Sequence, residues 1–424
     1  MLIIKNGTIV DPSQGLHKVG DIFVDNGRIV DKITDNPDIE IINAEGKYVF
    51  AGLIDMHVHL REPGQEHKET ILTGTQAAIA GGFTSIACMP NTTPVNDCVE
   101  VTSLILSRIK KTALCNVYPI GAITIGLKGR EMTDMSQLKS AGLKAFTDDG
   151  MPVIDSDIMS AALEFSSNTG VLIISHAEDK DISGRGVINQ GAVSVKLNVA
   201  GIKAEAEVSM IKRDIELLRN IGGRLHIAHV STEGGVRAVR EAKDRGLNIT
   251  AETAPHYFTL TEDEVITKGA NAKMNPPLRT KKDVKAVKEG LTDGTIDVIA
   301  TDHAPHHKEE KALGLIDAPF GICGLETALS LGLQLVEDNV ITMDRLIELM
   351  AVNPARILGI DKGTLKAGAD ADITIVDIDR EYVVDVGQFK SKGKNSPFDG
   401  AILKGRVYKV ICGGRVFNCE RFIS

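Results

Sequence analysis

The sequence predicts an α/β protein with two parts, a (β/α)8 barrel of the TIM type and a small β-sandwich domain formed by both chain ends. Residues 51–361 alternate short apolar runs with helical patterns of period near 3.6, which is typical of repeated β-then-α units. Residues 1–50 and 362–424 contain short strand patterns and turn signals instead. We therefore expect a composite β-sandwich domain of residues 1–50 with 362–424, and a barrel of residues 51–361.

The strands of the predicted β-sandwich are short and separated by turn residues. Strand-like runs occur at residues 2–4, 7–10, 21–24, 28–30, 371–376 and 407–412. The dipeptides Asn6-Gly7 and Asn26-Gly27 lie between such runs and indicate hairpin turns. Gly413-Gly414 follows the last of these runs and precedes a further short one. Both chain ends are therefore expected to be all-β.

Eight candidate strands fall in the middle of the chain, each followed by a helical pattern. They cover residues 53–57, 84–89, 117–122, 143–146, 171–176, 224–229, 249–253 and 297–302. Eight such units in about 300 residues fit a (β/α)8 barrel. A doubly wound sheet is the alternative, but that architecture usually has fewer strands.

Composition excludes several classes of function. Lys and Arg number 48 against 57 Asp and Glu, and Trp is absent, so neither a basic surface nor stacking platforms for nucleic acid are expected. No run approaches 18 apolar residues, so no membrane span is expected. The six cysteines form no Cys-x-x-Cys pair, which favours reduced thiols in a cytoplasmic protein over a disulfide framework.

Residue types that bind metals recur at the carboxyl ends of the candidate strands. His57 and His59 are two positions apart, so strand geometry points both side chains to one face. The other candidates are Asp149, His176, His229 and Asp302. Carboxyl ends converge on one mouth of a barrel, and four imidazoles with two carboxylates there indicate a two-metal site.

Each of these residues has a structural alternative. A single strand-end His is more often hydrogen-bonded than metal-bound, and a single Asp there more often caps the next helix. His226 precedes His229 by three positions, on the opposite face of the strand, and we interpret it as structural. His17 and His67 lack any such context. The joint pattern of six candidates on five of eight strand ends is what favours a metal site.

Several motifs carry a resemblance to a known family. Residues 52–59, GLIDMHVH, resemble the first motif of the amidohydrolase superfamily, with Ala51 where Pro is usual. Residues 60–64, LREPG, narrow the resemblance to dihydroorotase. So do residues 89–92 (MPNT), 275–279 (NPPLR) and 301–306 (TDHAPH). The similarity runs from the first barrel strand to the chain end and is greatest to bacterial class I dihydroorotases, so a barrel of the metal-dependent hydrolase kind is implied.

The resemblance implies a role for each site residue. Two Zn²⁺ per subunit are implied, the first held by His57, His59 and Asp302 and the second by His176 and His229, with Asp149 as the bridge. The implied substrate-binding residues are His59, Arg61, Asn91, Asn275, His306, Phe320 and Gly321. Among them, Arg61 and Asn91 would hold the substrate carboxylate with Asn275 beside them, because a guanidinium matches a carboxylate in bidentate fashion. His306 and the backbone of Phe320 and Gly321 would contact the ring.

The implied reaction is the reversible cyclisation of N-carbamoyl-L-aspartate to (S)-dihydroorotate and water in the synthesis of UMP. We hypothesise that a hydroxide held between two metals attacks the ring carbonyl. Asp302, the implied catalytic residue, would take its proton and pass it to the leaving nitrogen. The family also implies a homodimer, and for some members an association with aspartate transcarbamoylase.

Three alternatives stay open at the level of sequence. Many amidohydrolases bridge their metals with a carboxylated lysine, and Lys144 lies at about that place. Hydantoinases, dihydropyrimidinases and allantoinases share the fold and the metal set but act on uncharged rings. The third alternative is an inactive subunit that only supports aspartate transcarbamoylase. Such chains lose metal ligands, whereas this one retains all six.

Overall fold

Strands from both ends of the chain pair in one mixed sheet. The computed structural model describes residues 1–32 and 39–419, so residues 33–38 and 420–424 of the predicted β-sandwich domain lie outside the described residues. Within the described part, eight strands form this sheet: β1 (Leu2–Asp11), β2 (Leu16–Asp25), β3 (Arg28–Val30), β4 (Glu40–Asn43), β5 (Tyr48–Ala51), β16 (Ile373–Val383), β17 (Ile402–Cys412) and β18 (Arg415–Asn418). Their order is β18-β17-β16-β5-β1-β2-β3, with β4 beside β1.

The two predicted amino-terminal hairpins have different outcomes. Asn26 and Gly27 form the two-residue turn between β2 and β3, with φ of 48° and 75°, as predicted. The hairpin at Asn6-Gly7 is wrong, because β1 runs straight through it with a register shift between Ile4 and Gly7. Asn6 has φ of 62°, so the left-handed conformation that suits a hairpin here serves a β-bulge instead.

All eight predicted barrel strands are present. They are β6 (Leu53–Val58), β7 (Phe83–Cys88), β8 (Asn116–Pro119), β9 (Ala145–Phe146), β10 (Leu172–Ser175), β13 (Leu225–Ile227), β14 (Ile249–Thr253) and β15 (Val298–Ile299). Neighbours along the ring pair in parallel, β6-β7-β8 in one run and β9-β10-β13-β14-β15 in the other.

Two parallel bridges close the ring. Gly121 pairs with Phe146 between β8 and β9, and Val58 pairs with His303 between β6 and the end of β15. A closed ring of parallel strands is the barrel that the sequence predicts, and it excludes the doubly wound sheet, whose two edge strands stay unpaired.

Helices follow the barrel strands and cover them. Their bounds are α1 (Ile71–Ala80), α2 (Val99–Thr112), α3 (Met135–Ser140), α4 (Ser156–Thr169), α5 (Lys180–Ser183), α6 (Ala192–Leu197), α7 (Glu205–Ile221), α8 (Glu233–Asp244), α9 (Pro255–Thr259), α10 (Glu264–Lys268), α11 (Lys281–Asp293), α12 (Lys308–Lys311), α13 (Gly314–Asp317), α14 (Ala328–Glu337), α15 (Met343–Ile347) and α16 (Asn353–Leu358). A π-helical turn, Glu348–Val352, joins α15 to α16, and a short pair, β11 (Ile188–Asn189) with β12 (Gly201–Ile202), lies between α5 and α7. In the described part of the chain, no helix is long and apolar enough to cross a membrane.

The inside of the barrel is filled with apolar side chains. Ile54 and Met56 of β6 pack with Ile174 of β10 and Val298 of β15, and all four are buried. Ile357 of α16 belongs to the same cluster. The barrel interior is therefore packed rather than hollow, and the residues predicted as metal ligands lie where the strands end.

Candidate active site

All six side chains that the sequence singled out as metal ligands meet at the carboxyl ends of the barrel strands. They are His57, His59, Asp149, His176, His229 and Asp302, and every one is buried. They come from the ends of β6, β9, β10, β13 and β15, which are separated in the chain and belong to one closed ring of strands. Closure of the barrel is therefore what brings them together.

The ligand atoms of these residues form two overlapping groups. His57, His59 and Asp302 make one, and His57, Asp149 and His229 make the other, with the ligand atoms of each group within 4.8 Å of one another. Nε2 of His59 lies 3.1 Å from Asp302 Oδ1, and Nε2 of His57 lies 3.2 Å from Asp149 Oδ1. Asp149 belongs to the second group and also approaches the first, since its Oδ2 lies 3.5 Å from Nε2 of His59.

His176 joins from the opposite side. Its Nδ1 is 2.8 Å from Nε2 of His229 and 3.4 Å from Oδ1 of Asp149. Its other ring nitrogen, Nε2, is 3.3 Å from Oε2 of Glu178, a carboxylate that must accept the proton there. In the neutral ring, the proton on Nε2 leaves Nδ1 with a lone pair that is directed at His229 and Asp149.

The outer nitrogens of His57 and His59 are fixed in the same way. Nδ1–H of His57 donates to Oε1 of Glu252 at 2.6 Å, and Nδ1–H of His59 donates to Oδ1 of Asn91 at 2.9 Å. In the neutral form of each ring, the inner nitrogen therefore carries a lone pair that faces carboxylate oxygens. In the described part of the chain, His57 Nε2 and Asp149 Oδ1 are buried without any hydrogen-bond partner. Acceptors that face one another in a buried site fit a bound cation, and an outer acceptor on each imidazole is typical of metal ligands.

The electrostatics of the site also favour a positive charge between these groups. Burial works against a charged imidazole, but Asp149, Glu252 and Asp302 outweigh it and raise the pKa of His57 well above its ordinary value. Burial is likewise outweighed at His176, where the nearby carboxylates of Asp149 and Glu178 raise the pKa to about 9. Burial would favour a neutral Asp149, yet His57 and the neighbouring imidazoles hold its pKa well below the ordinary range. The same field that holds a proton would hold a metal ion.

Three residues of the site have backbone in the left-handed region. Their φ angles are 59° for Arg61, 37° for His229 and 48° for Asp302. For a residue other than glycine, a backbone conformation with such a φ costs about 1–3 kcal/mol, and only the surrounding structure holds the residue in it. Backbone strain of this kind is common where several side chains must point into one site. Arg61, His229 and Asp302 all line the same cavity.

A cavity of about 380 Å³ opens above the ligand groups. The predicted site residues that line it are His59, Arg61, Asn91, Asp149, His176, His229, Asn275, Asp302, His306, Phe320 and Gly321. His57 is fully buried beneath them and does not reach the cavity. The structure thus brings the predicted ligands and the predicted substrate-binding residues into one space.

The cavity wall carries a positive charge next to a neutral histidine. Arg61 is buried, and its Nε donates to the carbonyl of Pro305 at 3.3 Å. His306 donates from Nε2 to the carbonyl of Phe320 at 2.7 Å, and its Nδ1 lies 3.4 Å from Nζ of Lys68, where it accepts. Burial, with the charges of Arg61 and Lys68, lowers the pKa of His306 to about 2. Nη2 of Arg61 lies 3.3 Å from Nε2 of His306, and among the described residues no carboxylate forms an ion pair with this guanidinium, so its charge is available to an anion.

Lys144 does not take part in the site. It precedes β9, so it lies at the amino end of the strand, whereas the ligands follow the carboxyl ends. Its side chain is exposed, and Nζ donates to the carbonyl of Gly359 at 2.8 Å. The position of Lys144 therefore does not fit a bridge, whereas the carboxylate oxygens of Asp149 lie 3.2–3.7 Å from all four imidazoles of the predicted ligands.

Sequence reasoning missed two buried carboxylates that hold the ligands in place. Glu252 sits on β14 and contacts both His57 and His226, the latter at 3.2 Å. Glu178 contacts His176, Lys180 and Asn275. Burial works against its charge, but His176 and Lys180 outweigh burial and hold its pKa below the ordinary value. The signals were present, because Glu252 lies near a strand end and Glu178 follows His176 by two positions. His226, interpreted as structural, lies in this supporting layer.

Known proteins resemble the chain in sequence over its whole length. A family model described as Dihydro-orotase-like matches residues 46–234. The dihydroorotase of Geobacter metallireducens is 53% identical over 418 residues, covering 98% of this chain and 99% of the relative. That of Pelotomaculum thermopropionicum is also 53% identical, over 425 residues that cover 100% of this chain and 99% of the relative.

Solved structures resemble it in fold. The L-hydantoinase (dihydropyrimidinase) of Arthrobacter aurescens superimposes with a TM-score of 0.87 at 28% identity, over 98% of this chain and 95% of that one. The dihydropyrimidinase of Brevibacillus agri gives a TM-score of 0.84 at 24% identity, over 98% and 94%, which shows a shared fold alone. The structural neighbours are amidohydrolase barrels, whereas the relatives at half identity carry one name, so the chain belongs to the dihydroorotase family.

Proposed function

We propose that this protein is a dihydroorotase that interconverts N-carbamoyl-L-aspartate and (S)-dihydroorotate in pyrimidine synthesis. The observation that carries the proposal is one cavity in which the ligands His59, Asp149 and Asp302 face the buried guanidinium of Arg61. Opening a cyclic amide needs an activated water, and recognition of this ring needs a partner for its carboxylate. The relatives named dihydroorotase support the same reaction.

The metals that we propose are two Zn²⁺. His57, His59 and Asp302 would hold the first, His176 and His229 the second, and Asp149 would bridge them. Imidazole nitrogen with carboxylate oxygen is a donor set that zinc prefers in proteins. When bound, such ions lower the pKa of a coordinated water to about 7 and polarise the carbonyl that is attacked.

The carboxylate of the substrate is held by Arg61 and Asn91, with Asn275 beside them. Asn91 accepts from His59 through Oδ1, which turns its amide NH2 away from that ring and leaves it free to donate. Asn275 donates one amide hydrogen to Glu178, and its second amide hydrogen is available to the substrate. A guanidinium with amide donors nearby matches the geometry of a carboxylate.

Asp302 transfers the proton between the attacking water and the ring nitrogen. It lines the cavity, and its Oδ1 is held 3.1 Å from His59 Nε2 and 3.5 Å from His57 Nε2. In ring opening, its carboxylate takes a proton from the attacking water and delivers it to the ring nitrogen as the C–N bond breaks. In ring closure, it takes the proton from the carbamoyl nitrogen and returns it to the departing water.

The ring itself is recognised on the loop side of the cavity. His306 donates to the carbonyl of Phe320, which fixes the backbone of Phe320 and Gly321 at the rim. Because His306 is neutral, this wall presents neutral groups to the ring, and the positive charge stays with Arg61. That separation suits a substrate with a carboxylate at one end and a neutral amide at the other.

The test is the loss of ultraviolet absorbance from dihydroorotate, hydantoin and dihydrouracil, on protein of measured zinc content. We expect turnover of dihydroorotate alone, abolished by a chelator and restored by zinc. Turnover only of the uncharged rings would move the chain to the hydantoinase, dihydropyrimidinase or allantoinase branch. No turnover with zinc bound would contradict an active enzyme and favour the supporting-subunit role.

The remaining predictions concern the setting of the enzyme. We propose a cytoplasmic homodimer with association to aspartate transcarbamoylase, and a division into residues 1–50 with 362–424 and residues 51–361. Sedimentation of the purified protein, alone and with the bacterial transcarbamoylase, tests the assembly. A single species at twice the chain mass of 45.5 kDa is expected for the protein alone, and a monomer would contradict it.

A further inference from the structure

A second cavity, of about 330 Å³, opens beside the loop that carries Phe320 and Gly321. In the part of the chain that the structure describes, no carboxylate lines it, and four lysines do: Lys268, Lys308, Lys311 and Lys394. We name this space the lysine cavity. The whole chain has a net charge of −9, so this gathering of positive charge runs against the composition. A pocket lined by one sign of charge attracts ligands of the opposite sign.

The ammonium groups of Lys268, Lys311 and Lys394 donate to backbone carbonyls, and the charge of Lys394 also acts on the buried carboxyl group of Glu326. Nζ of Lys394 donates to Phe389 and Ser391 at 2.5 and 2.8 Å, and Nζ of Lys268 donates to Asp399 at 3.1 Å. Among the residues described, none of the four lysines has a carboxylate within ion-pair distance. Because each ammonium has three hydrogens, Lys268, Lys308 and Lys394 keep donors for a ligand.

Lys311 connects the lysine cavity to the active site. It is buried, and its Nζ donates to the carbonyls of Pro319 at 2.9 Å and Gly321 at 3.0 Å, with that of Lys273 at 3.4 Å. All three hydrogens are therefore used on the backbone, two of them on the loop that forms the wall of the active site. Burial and the nearby charge of Lys273 lower the pKa of Lys311 to about 7. A neighbouring anion would favour its charged form and strengthen these bonds.

Asn395 makes a second connection. It lines the lysine cavity, and its Nδ2 donates to the carbonyl of Gly321 at 2.9 Å. Its Oδ1 accepts from the backbone N–H of His306 at 3.0 Å. The residues that face the substrate cavity on one side of this loop are thus held by residues that face the lysine cavity on the other.

We propose that the lysine cavity is a regulatory site for a small anion with two or more phosphate groups, and that its occupancy firms the Phe320–Gly321 wall and tightens substrate binding. The effect on substrate rests on the proposed function, whereas the binding itself does not. Lysine binds phosphate as a point charge, and four lysines exceed what one carboxylate would neutralise. The volume is at the lower end of small-molecule sites, which fits a diphosphate group or the phosphate end of a nucleotide.

The test is calorimetric titration of the zinc-loaded protein with pyrophosphate, inorganic phosphate, citrate and a nucleoside triphosphate. We expect pyrophosphate to bind, weakened at least tenfold in K308A/K268A and unchanged in the matched surface variant K285A. Tighter binding of the triphosphate than of pyrophosphate would identify a nucleotide as the source of the phosphates, and equal binding would identify free polyphosphate. Zinc content measured after titration separates this binding from extraction of the metal.

Two results would overturn the site: no binding of pyrophosphate, or binding that K308A/K268A retains. Citrate binding as tightly as pyrophosphate would overturn the phosphate assignment. The coupling is read from KM for dihydroorotate, which pyrophosphate should lower in the wild type and not in K308A/K268A. Pyrophosphate binding with an unchanged KM would overturn the coupling. Failure of dihydroorotate turnover without any anion would count against the proposed function and leave the binding result intact.

Discussion

The two sides of the active-site cavity are built in different ways. The floor consists of the predicted ligands His57, His59, Asp149, His176, His229 and Asp302, at the ends of hydrogen-bonded strands and backed by the carboxylates Glu252 and Glu178. The wall consists of Arg61, His306, Phe320 and Gly321 on loops, held by bonds from side chains to backbone. The comparison teaches that the floor is fixed by the barrel and the wall by distant segments. Damage to the floor should therefore reduce metal binding and turnover, and damage to the wall should reduce affinity and selectivity.

The largest effect is expected from Asp302→Asn. Removal of the proton carrier should lower kcat by about 10²–10⁴-fold, because general acid–base catalysis contributes that much. The neutral amide still offers an oxygen ligand, so zinc content should fall much less than kcat. Steady-state kinetics with metal analysis on the same sample measure both, and unchanged turnover would refute the role.

The next test compares Asp149→Ala with Lys144→Ala. Asp149 lies among the imidazoles, whereas Lys144 is exposed at the other end of its strand. We expect Asp149→Ala to lose about half of its zinc or more, as for the removal of a ligand shared by two ions. Lys144→Ala, the matched control, should keep its zinc and its activity. The assignment of the bridge fails if the results are reversed.

A smaller effect is expected from Glu252→Gln, which keeps the volume of the side chain and removes its charge. Glu252 orients His57 and balances the charge beneath it, and loss of such a partner typically costs 10–100-fold in metal affinity. Zinc competition with a chromophoric chelator measures the affinity. Glu241→Gln on the exposed face of α8 is the control. Equal affinity in the wild type and Glu252→Gln would mean that Glu252 has no part in metal binding.

The smallest effect is expected on the wall, from Asn395→Ala. This change leaves the N–H of His306 without its acceptor and removes a donor from the carbonyl of Gly321. We expect a loss of about 1–3 kcal/mol in the free energy of unfolding. KM for dihydroorotate should rise severalfold, with zinc content unchanged. Asn168→Ala, at an exposed position of α4, is the control. If Asn395→Ala instead lost zinc with KM unaltered, wall and floor would not be separate.

The meeting of the floor residues was predictable from strand order, and the family resemblance named the wall residues, but the side chains that hold the wall were not predictable, for a physical reason. His57, His176 and Asp302 follow apolar runs, and closure of a barrel brings all such strand ends to one place. The sequence therefore predicts that they meet without knowledge of any loop. Lys311 and Asn395 act through backbone carbonyls of other segments, and nothing in the residue types specifies which carbonyls they meet.

The wrong hairpin at Asn6-Gly7 and the alternative of a Lys144 bridge have the same origin. Asn6-Gly7 indicates a left-handed backbone correctly, but only pairing with β2 decides whether that backbone is a turn or a bulge. Lys144 has the right residue type near the right strand, and the length of β9 decides that it lies at the wrong end. In both cases, local preference was right and tertiary register determined the outcome.

The most direct test of the account compares dihydroorotate with its uncharged carboxamide as substrates for the wild type and Arg61→Met. The account predicts that the wild type prefers the acid strongly in kcat/KM. Because the methionine side chain removes the charge and keeps much of the length, the preference should fall by about 10–100-fold, the size of a lost charged hydrogen bond. Zinc content should stay the same. If Arg61→Met kept the preference for the acid, the carboxylate clamp, and with it the division of the cavity into floor and wall, would be contradicted.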